Sequence, residues 1–441
     1  MSKGMISPER VSAYHVMRRV ADGAFADRAF AAEARRSKLA PRERSAAMRL
    51  VFGATQRRRT LDWLIDDALD RPESLEPEVR DVLRLGAFEL VWSDRVPGPA
   101  AVDQAVRLAR TINGDQRRRA ARAGLVNAVM RRLGESARGR LEELRQDGDA
   151  LGVVHSMPDW IAEGLVASLG AEHAAGVMTA ANDPAESALR WNALRGTRDE
   201  VVSALEVPWH DDPHIPEAVV LEDAFGIEES PLWERGLAMA QSRASMLPAL
   251  LVDPRPGERI LDLCAAPGAK ATHLAALAGN EATLVCVELH PPRAAALRAL
   301  AARLGARLEV LEGDARQLEL PGEVDAVLVD PPCTGLGVLS ARPDARWRRR
   351  PEAMDQLVLL QRELLERALS VTRPGGRVVY STCTLLAQEN EDVVRAAGAT
   401  VDPVAAERFP HLEHPRLPGA LLTLPHRDGT DGFFVARLRV G

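Results

Sequence analysis

The feature that most constrains the fold of this chain is a regular alternation of apolar and helical segments after Gly236. Short segments rich in Ile, Val and Leu, typical of buried strands, lie at residues 259–263, 282–289, 307–311, 325–330 and 377–381. Helical patterns lie between them, around residues 271–278, 292–304, 354–371 and 388–396. Such alternation predicts a parallel sheet with helices on both faces, and two further apolar segments, 420–424 and 432–440, predict a closing antiparallel hairpin.

The first 140 residues have a different pattern. Apolar residues recur there at helical spacing, without the alternation of a half-buried strand, and they predict an all-α domain of about six helices. Residues 141–235 contain strand-like runs at 188–192 and 218–221 around a helical segment, which predicts a small α+β linker subdomain. We therefore expect three domains: residues 1–140, residues 141–235, and a Rossmann-like α/β domain at residues 236–441.

Charge is distributed unevenly along the chain. The net charge of the 441 residues is −6, yet residues 1–140 contain 28 Lys and Arg against 18 Asp and Glu. A basic front part indicates a polyanionic partner, although a solvated Arg-rich helical surface gives the same pattern. The candidates for phosphate contacts are two Arg runs, at residues 57–59 and 117–119.

Two classes of protein do not fit the composition. No apolar run reaches the roughly 18 residues that a membrane span needs, and residues 1–8 lack an apolar signal-peptide core. A cytoplasmic protein without a membrane partner is therefore expected.

The four cysteines, Cys264, Cys286, Cys333 and Cys383, form no C-x-x-C pair, so we expect no metal site, and each alone is most simply a buried, inert thiol.

The stretch from Arg259 to Lys270 predicts a ligand-binding corner. A short apolar strand is broken by Pro267 and Gly268, and an Ala-rich helical pattern begins directly afterwards. A strand, a Gly-containing turn and a helix start form the nucleotide-binding corner of a doubly wound sheet. The full G-x-G-x-x-G pattern is missing, so the stretch alone is a weak signal.

Three acidic residues follow successive predicted strands. Glu288 ends the second strand, Asp314 follows the third, and Asp330 follows the fourth. A single acid in such a place is most simply a helix N-cap, but three at the ligand-binding edge of one sheet favour a nucleoside site. This arrangement is usual for S-adenosylmethionine, whose cationic sulfur needs no phosphate cradle.

Two cysteines follow the fourth and fifth strands. Cys333 ends the segment Asp330-Pro331-Pro332-Cys333, and Cys383 lies in Ser381-Thr382-Cys383-Thr384. If the two strands are neighbours, both thiols face one cleft. A thiolate that adds to carbon 6 of a pyrimidine makes carbon 5 nucleophilic toward a methyl donor, which is covalent catalysis. These residues alone do not decide which cysteine attacks.

The motifs resemble two known families. The segments 49–54, 84–90 and 124–132 look like the NusB family of helical RNA-binding factors. The segments 264–270, 330–333 and 381–384, supported by 342–347 and 425–434, look like the RsmB/Sun family of RNA 5-methylcytosine methyltransferases. Together the resemblances span nearly the whole chain. They imply an S-adenosylmethionine-dependent enzyme that methylates a cytosine of 16S ribosomal RNA at carbon 5.

The second resemblance also implies residue roles. Cys383 is the nucleophile, Cys333 assists breakdown of the covalent intermediate, Asp330 also faces the cytosine, and Lys270 lies near that aspartate. Cys264, in the opening turn, is expected to be packed and unreactive. The residues implied to bind the cofactor are Cys264, Ala265, Ala266, Pro267, Gly268, Ala269, Lys270, Glu288, Asp314 and Asp330. The chain departs from the family pattern at Ala269, Ala271 and Glu288, where Gly, Thr and Asp are usual.

Two other interpretations compete with this one. A nicotinamide-dependent oxidoreductase would use the same corner but leaves both cysteines unexplained. A non-catalytic RNA-binding factor with a relic enzyme domain is expected to have lost nucleophile or donor-site residues, and all are present. The partner expected is RNA, in a free or early assembly state, bound by a monomer that does not act on DNA.

Overall fold

The computed structural model describes residues 6–93, 96–146, 150–320 and 322–441. Its α-helices, in chain order α1–α20, are Pro8–Ala21, Ala26–Ser37, Pro41–Gln56, Arg58–Asp67, Pro77–Trp92, Gly98–Ala109, Gln116–Gln146, Leu151–Val154, Asp159–Leu169, Ala171–Ala180, Arg198–Val202, Pro231–Glu234, Arg243–Val252, Ala269–Leu277, Pro291–Leu304, Ala345–Arg348, Met354–Val371, Glu391–Ala396, Val404–Arg408 and Pro425–Asp428. Its strands β1–β12 are Ser187–Trp191, Trp209–Asp211, Ala218–Leu221, Ala238–Ala240, Arg259–Asp262, Thr283–Glu288, Glu309–Glu312, Val324–Val329, Thr372–Thr382, Thr400–Val401, Leu421–Thr423 and Phe433–Arg439.

The described chain forms two compact units. The first contains the residues up to Pro184 together with Leu339–Arg348, and the second contains Ala185–Val338 and Arg349–Gly441. The predicted domain boundaries at 140/141 and 235/236 remain predictions. Residues 1–5, where no signal peptide is expected, lie outside the described residues.

The first unit is helical, as predicted. Proline at the first helical position begins α1, α3 and α5, where its missing N–H costs no hydrogen bond. The helices pack around one apolar core, and α2, which the apolar pattern did not predict, contributes Ala29 and Phe30 to it. The last long helix, α7, continues to Gln146 and so crosses the predicted boundary at residue 140.

The segment Leu339–Arg348 belongs to this helical unit, although it lies between β8 and α17 in sequence. The side chain of Arg346 is completely buried there. It donates hydrogen bonds to the carbonyl oxygens of Gln56 and Ala181, at helix C-termini, and to Oδ1 of Asn182. Burial lowers the pKa of Arg346 to about 9. The guanidinium thus satisfies carbonyl groups that helix ends leave without intrahelical partners.

The two Arg runs proposed for phosphate contacts differ in the structure. Arg57 donates to the carbonyl oxygen of Asn182, and Arg59 forms an ion pair of 2.6 Å with Asp159. Arg57 and Arg59 are thus engaged inside the unit, whereas Arg58 is exposed and its guanidinium lies 5.6 Å from the ring centre of Trp347. Residues 117–119 are exposed on the first turn of α7.

A small antiparallel sheet begins the second unit. Its strand order is β2-β3-β1-β4. The sequence predicted β1 and β3, and it missed β2 and β4, which have three residues each. Strands β1, β2 and β3 and the short helix α11 lie within the predicted α+β subdomain, residues 141–235, whereas β4 lies just beyond it.

The large sheet of the second unit contains eight strands. Its order is β10-β12-β9-β8-β5-β6-β7, with β11 paired to β12. Strands β5 to β9 pair in parallel, whereas β10, β11 and β12 are antiparallel. The predicted fold class, including the closing hairpin β11–β12, is confirmed. Across the described ranges, no helix has both the length and the apolar character required to cross a membrane.

Candidate active site

The carboxyl ends of the parallel strands bring the predicted site residues together. Strand β8 pairs with β9 so that Val329 lies opposite Tyr380, which places Asp330 beside Ser381. The hydroxyl of Ser381 donates to Oδ1 of Asp330 at 3.0 Å. The sequence predicts that both thiols face one cleft if these two strands are neighbours, and β8 and β9 are neighbours.

The two thiols lie in contact. Sγ of Cys333 is 3.4 Å from Sγ of Cys383. Cys333 is only 8 % exposed, whereas Cys383 is more accessible. The contact with Cys383, followed by burial, raises the pKa of Cys333 well above its ordinary value. Cys333 therefore keeps its proton more readily than an ordinary cysteine.

Lys270 provides a cation at this cleft. Its Nζ lies 2.6 Å from Oδ2 of Asp330 and 5.1 Å from the ring centre of Phe433. Burial lowers the pKa of Lys270, but Asp330 and then the thiolate form of Cys383 raise it above its ordinary value. Because the interaction is mutual, the Lys270 ammonium in turn favours the thiolate form of Cys383.

The opening corner is fixed by its backbone. The N–H of Leu263 donates to Leu328, on β8, and the N–H of Ala265 donates to Val287, on β6. Gly268 has φ of +113°, and a Cβ there would lie 2.5 Å from Cδ1 of Leu297. Only glycine fits this turn, because both the backbone conformation and the space exclude a side chain.

The remaining two predicted carboxylates lie beside this corner on β6 and after β7. Glu288 is 3 % exposed and accepts a hydrogen bond from the N–H of His290. The N–H of Gly313 donates to the carbonyl of Glu288, which brings Asp314 next to it. Arg316 holds both oxygens of Asp314 and lowers its pKa. In this structure the carboxylate of Asp314 is thus engaged by a neighbouring arginine, and its role in binding the cofactor stays a prediction.

A further carboxyl group, at Asp262, was missed by the sequence reasoning. It ends β5, inside the stretch that predicted the corner, and it is buried. Burial, and secondly the charge of Asp330, raise the pKa of Asp262 to about 7. Asp262, Glu288 and Asp330 concentrate negative charge around one buried corner, which fits a cationic sulfonium ligand such as S-adenosylmethionine.

Cys264 lies in the same corner. Burial and then the negative charges of Asp262 and Asp330 raise its pKa well above the ordinary value, so it holds its proton. This fits the expected unreactive role. Within the described ranges, no group of three or more His, Cys, Asp or Glu side chains is placed to hold a metal ion.

Two residues behind the thiols were also missed. Glu389 and Asn390 are buried, polar and bonded to the loops that carry both cysteines. The signal in the sequence was a polar Glu-Asn-Glu run, residues 389–391, at the start of a predicted helix directly after the second cysteine motif.

Three families match consecutive parts of the chain. The NusB family matches residues 7–135. A ferredoxin-like domain of RsmF/B-type methyltransferases matches residues 157–228. The family described as 16S rRNA methyltransferase RsmB/F matches residues 249–439, which include every predicted site residue.

Named relatives match over nearly the whole length. Ribosomal RNA small subunit methyltransferase B of Thermus thermophilus is 36 % identical over 417 residues, covering 92 % of this chain and 91 % of the relative. A probable ribosomal RNA small subunit methyltransferase B of Synechocystis is 33 % identical over 415 residues, covering 91 % and 92 %.

Solved structures show the same fold. The crystal structure of PH0851 has a TM-score of 0.79 and 25 % identity, covering 99 % of this chain and 100 % of that one. The structure of NSun6 from Pyrococcus horikoshii with SFG has a TM-score of 0.59 and 22 % identity, covering 65 % and 99 %.

The matches agree with the architecture. The helical front, the small sheet and the mixed eight-stranded sheet correspond to the three matched families in their order along the chain. The expected cofactor, S-adenosylmethionine, is confirmed by this membership and suits the acidic corner. The chain belongs to the ribosomal RNA small subunit methyltransferase B family and is an S-adenosylmethionine-dependent methyltransferase that acts on ribosomal RNA.

Proposed function

We propose that this protein methylates carbon 5 of a cytosine in 16S ribosomal RNA through a covalent bond between Cys383 and the base. The observation that carries the proposal is the contact of two thiols, 3.4 Å apart, beside the Lys270–Asp330 ion pair. Methylation of a ring nitrogen, an exocyclic amine or a ribose hydroxyl needs no such thiol pair. The names of the curated relatives support the small-subunit RNA as substrate.

The raised pKa of Cys333 supports different roles for the two thiols. Cys383, next to the Lys270 ammonium, attacks carbon 6 of the cytosine as a thiolate. The electron pair displaced from the ring makes carbon 5 nucleophilic. S-adenosylmethionine, when bound at the acidic corner, supplies the methyl group that carbon 5 takes.

Cys333 serves the second half of the reaction. The hydrogen bond with Cys383, then burial and the charge of Cys383, raise the pKa of Cys333 in the free enzyme. Once Cys383 is bonded to carbon 6, its charge no longer opposes ionisation of Cys333, which then releases its proton to solvent. The Cys333 thiolate then takes the proton of carbon 5, the ring double bond re-forms, and the sulfur of Cys383 leaves. Asp330, fixed between Lys270 and Ser381, faces the base throughout.

The division of labour follows the predicted domains. Residues 236–441 carry the chemistry, residues 1–140 contact RNA, and residues 141–235 join them. The enzyme acts as a cytoplasmic monomer on free or early-assembly RNA and not on DNA.

Two cysteine substitutions test the proposal. Cys383→Ala should abolish transfer of a tritiated methyl group to unmodified small-subunit RNA, because no other thiolate reaches carbon 6. Cys333→Ala should accumulate a covalent RNA–protein adduct, visible on a denaturing gel, because the intermediate cannot lose its proton. Cys286→Ala, a buried thiol within β6, is the control and should retain activity.

The opposite pattern would assign the roles the other way. An adduct that forms with Cys383→Ala and not with Cys333→Ala makes Cys333 the nucleophile. Methyl transfer by Cys383→Ala at the normal rate would refute covalent catalysis. Titrations with NAD and with S-adenosylmethionine distinguish this proposal from the oxidoreductase interpretation, since this enzyme should bind S-adenosylmethionine alone.

A further inference from the structure

We infer that the buried pair Glu389–Asn390 is the positioning device that sets both active-site thiols, Glu389 for Cys333 and Asn390 for Cys383. The step assigned to each thiol rests on the proposed function, whereas the positioning itself rests on hydrogen bonds on either side of each cysteine. The side-chain hydrogen bonds of both residues go to the loops that carry the thiols, and through these loops both residues act.

Glu389 holds the loop of Cys333 from both sides. Its Oε1 accepts the N–H of Thr334 at 2.9 Å, and its Oε2 accepts the hydroxyl of the same residue. Oε1 also accepts Nε2 of Gln361, which in turn donates to the carbonyl of Pro332 at 3.0 Å. The residues immediately before and after Cys333 are therefore tied to one carboxylate.

Asn390 holds the loop of Cys383 in the same manner. Its Oδ1 accepts the hydroxyl of Thr382, and its Nδ2 donates to the carbonyl of Thr384 at 3.0 Å. These two residues flank Cys383. One amide side chain therefore closes the turn that presents the nucleophile.

The two loops are also joined directly. The hydroxyls of Thr334 and Thr384 are 2.7 Å apart, and the N–H of Gly337 donates to the carbonyl of Cys383. Because the Thr334 hydroxyl gives its proton to Glu389, it accepts the proton of Thr384. The carboxylate thus fixes the direction of the whole chain of hydrogen bonds, and an amide in its place does not.

Stability alone does not account for a carboxylate at position 389. The side chain is completely buried, and its partners Thr334 and Gln361 are uncharged. Burying an ion without a counter-ion is costly, and apolar replacements of buried ionic groups are often neutral or stabilising. One threonine and one glutamine donate to it, and both connect directly to the residues that flank Cys333, which indicates a role in the geometry of that loop.

The same segment offers a matched control. Glu391, two residues further on, is also a buried carboxylate, but its partners are the cation of Arg416 and the ring of His414. Glu391→Gln therefore removes a carboxylate of equal burial from the same segment without touching either cysteine loop. Its cost in folding should equal or exceed that of Glu389→Gln, because it also breaks an ion pair.

The first readout is thiol alkylation by iodoacetamide, followed by mass spectrometry, which does not depend on the reaction proposed. Glu389→Gln should speed alkylation of Cys333 at least about fivefold, because the released loop exposes a thiol that is nearly buried. Asn390→Ala should slow alkylation of Cys383 at least about fivefold, because the thiolate moves away from Lys270. Glu391→Gln should change neither rate by more than about twofold.

The second readout is the reaction with RNA. Glu389→Gln should accumulate the covalent adduct and lower kcat about tenfold or more, with the KM for S-adenosylmethionine unchanged. Asn390→Ala should slow formation of the adduct by a similar factor. Equal effects of all three variants on alkylation, Tm and cofactor affinity would overturn the inference and leave a structural role. Selective alkylation changes without an adduct from either Cys333→Ala or Cys383→Ala would instead uphold the positioning and refute the covalent mechanism.

Discussion

Asp262 is a residue at which the acidic corner costs the fold stability. Its carboxyl group is buried at the end of β5, near Asp330, Glu288 and the Lys270 ammonium. Its pKa of about 7, against an ordinary value of 3.8, means that folding favours the protonated form. The folded state therefore loses stability as pH rises from about 4 to about 7, because the unfolded chain ionises first.

Asp262→Asn should remove this pH dependence. Asparagine resembles the protonated acid and keeps an oxygen to accept the N–H of Cys264. The difference between variant and parent in the free energy of unfolding should grow in favour of the variant between about pH 4 and about pH 7. The full shift corresponds to about 4 kcal/mol. Urea unfolding at each pH measures it, and a difference that stays constant with pH would show that Asp262 does not titrate there.

The cationic ligand should reverse part of that cost. A bound sulfonium favours the ionised form of the acids in the corner. Asp262→Asn should therefore raise the stability of the free protein and lower its affinity for the cofactor. The sequence shows that Asp262 ends this strand, but the pKa of its carboxyl group depends on burial and on two neighbours from other strands.

Among the elements, α7 and α3 contain two different kinds of glycine. Gly124 lies in the exposed part of α7, where a Cβ would meet no atom within 4 Å. Gly53, on α3, faces the ring of Phe88, and a Cβ there would lie 2.0 Å from Cζ. Both glycines lie within the NusB-like motifs, yet only Gly53 is required by packing.

Gly124→Ala should stabilise the helical unit by about 0.5–1 kcal/mol, because alanine loses less backbone entropy in a helix. Gly53→Ala should destabilise it by about 1–3 kcal/mol, because the new methyl group displaces the Phe88 ring. Thermal unfolding followed by circular dichroism measures both. A destabilised Gly124→Ala variant would mean that this face of α7 is covered by a partner surface in the measured protein.

Elements were predictable where their sequence pattern is local. The five parallel strands were predicted because each is an apolar run between helical segments. Helix α2 was missed because Ala and Arg dominate it and only Phe30 marks its buried face. Strands β2 and β4 are three residues long, too short for alternation to be visible, and their partners in the sheet define them.

At the scale of the molecule, the order of strands could not be derived from the sequence. The two thiols meet because β8 and β9 are neighbours, which the alternation alone permits but does not require. The assignment of Leu339–Arg348 to the helical unit is equally non-local, since Arg346 finds its partners more than 150 residues away in sequence. The resemblance of the motifs to known families implied the shared role of the two cysteines, which hydrophobic periodicity alone could not.

The structure also changes how the basic front part should be tested. Deleting residues 1–140 would cut α7 and expose Leu141 and Leu144, which pack in the helical core. Weaker RNA binding after that deletion would therefore report unfolding as well as the removal of charge. Substitutions on the surface avoid this problem.

Neutralising residues 117–119 is the sharper test of RNA contact. These three arginines are exposed, whereas Arg57 and Arg59 have partners inside the unit. Removing one phosphate contact should reduce the slope of log K against log salt by about 0.7–0.9. Replacing all three with Gln should therefore flatten the slope by about two and weaken binding at low salt, measured by filter binding to small-subunit RNA.

A second triple variant controls for net charge. Arg131, Arg138 and Arg145 are also exposed on α7, and replacing them with Gln removes the same charge from the same helix. If the 117–119 run contacts phosphates, only its variant changes the slope by about two. Equal changes from both triples would mean that RNA responds to the overall charge of the helical unit, and no change from either would show that these arginines of α7 do not contact RNA.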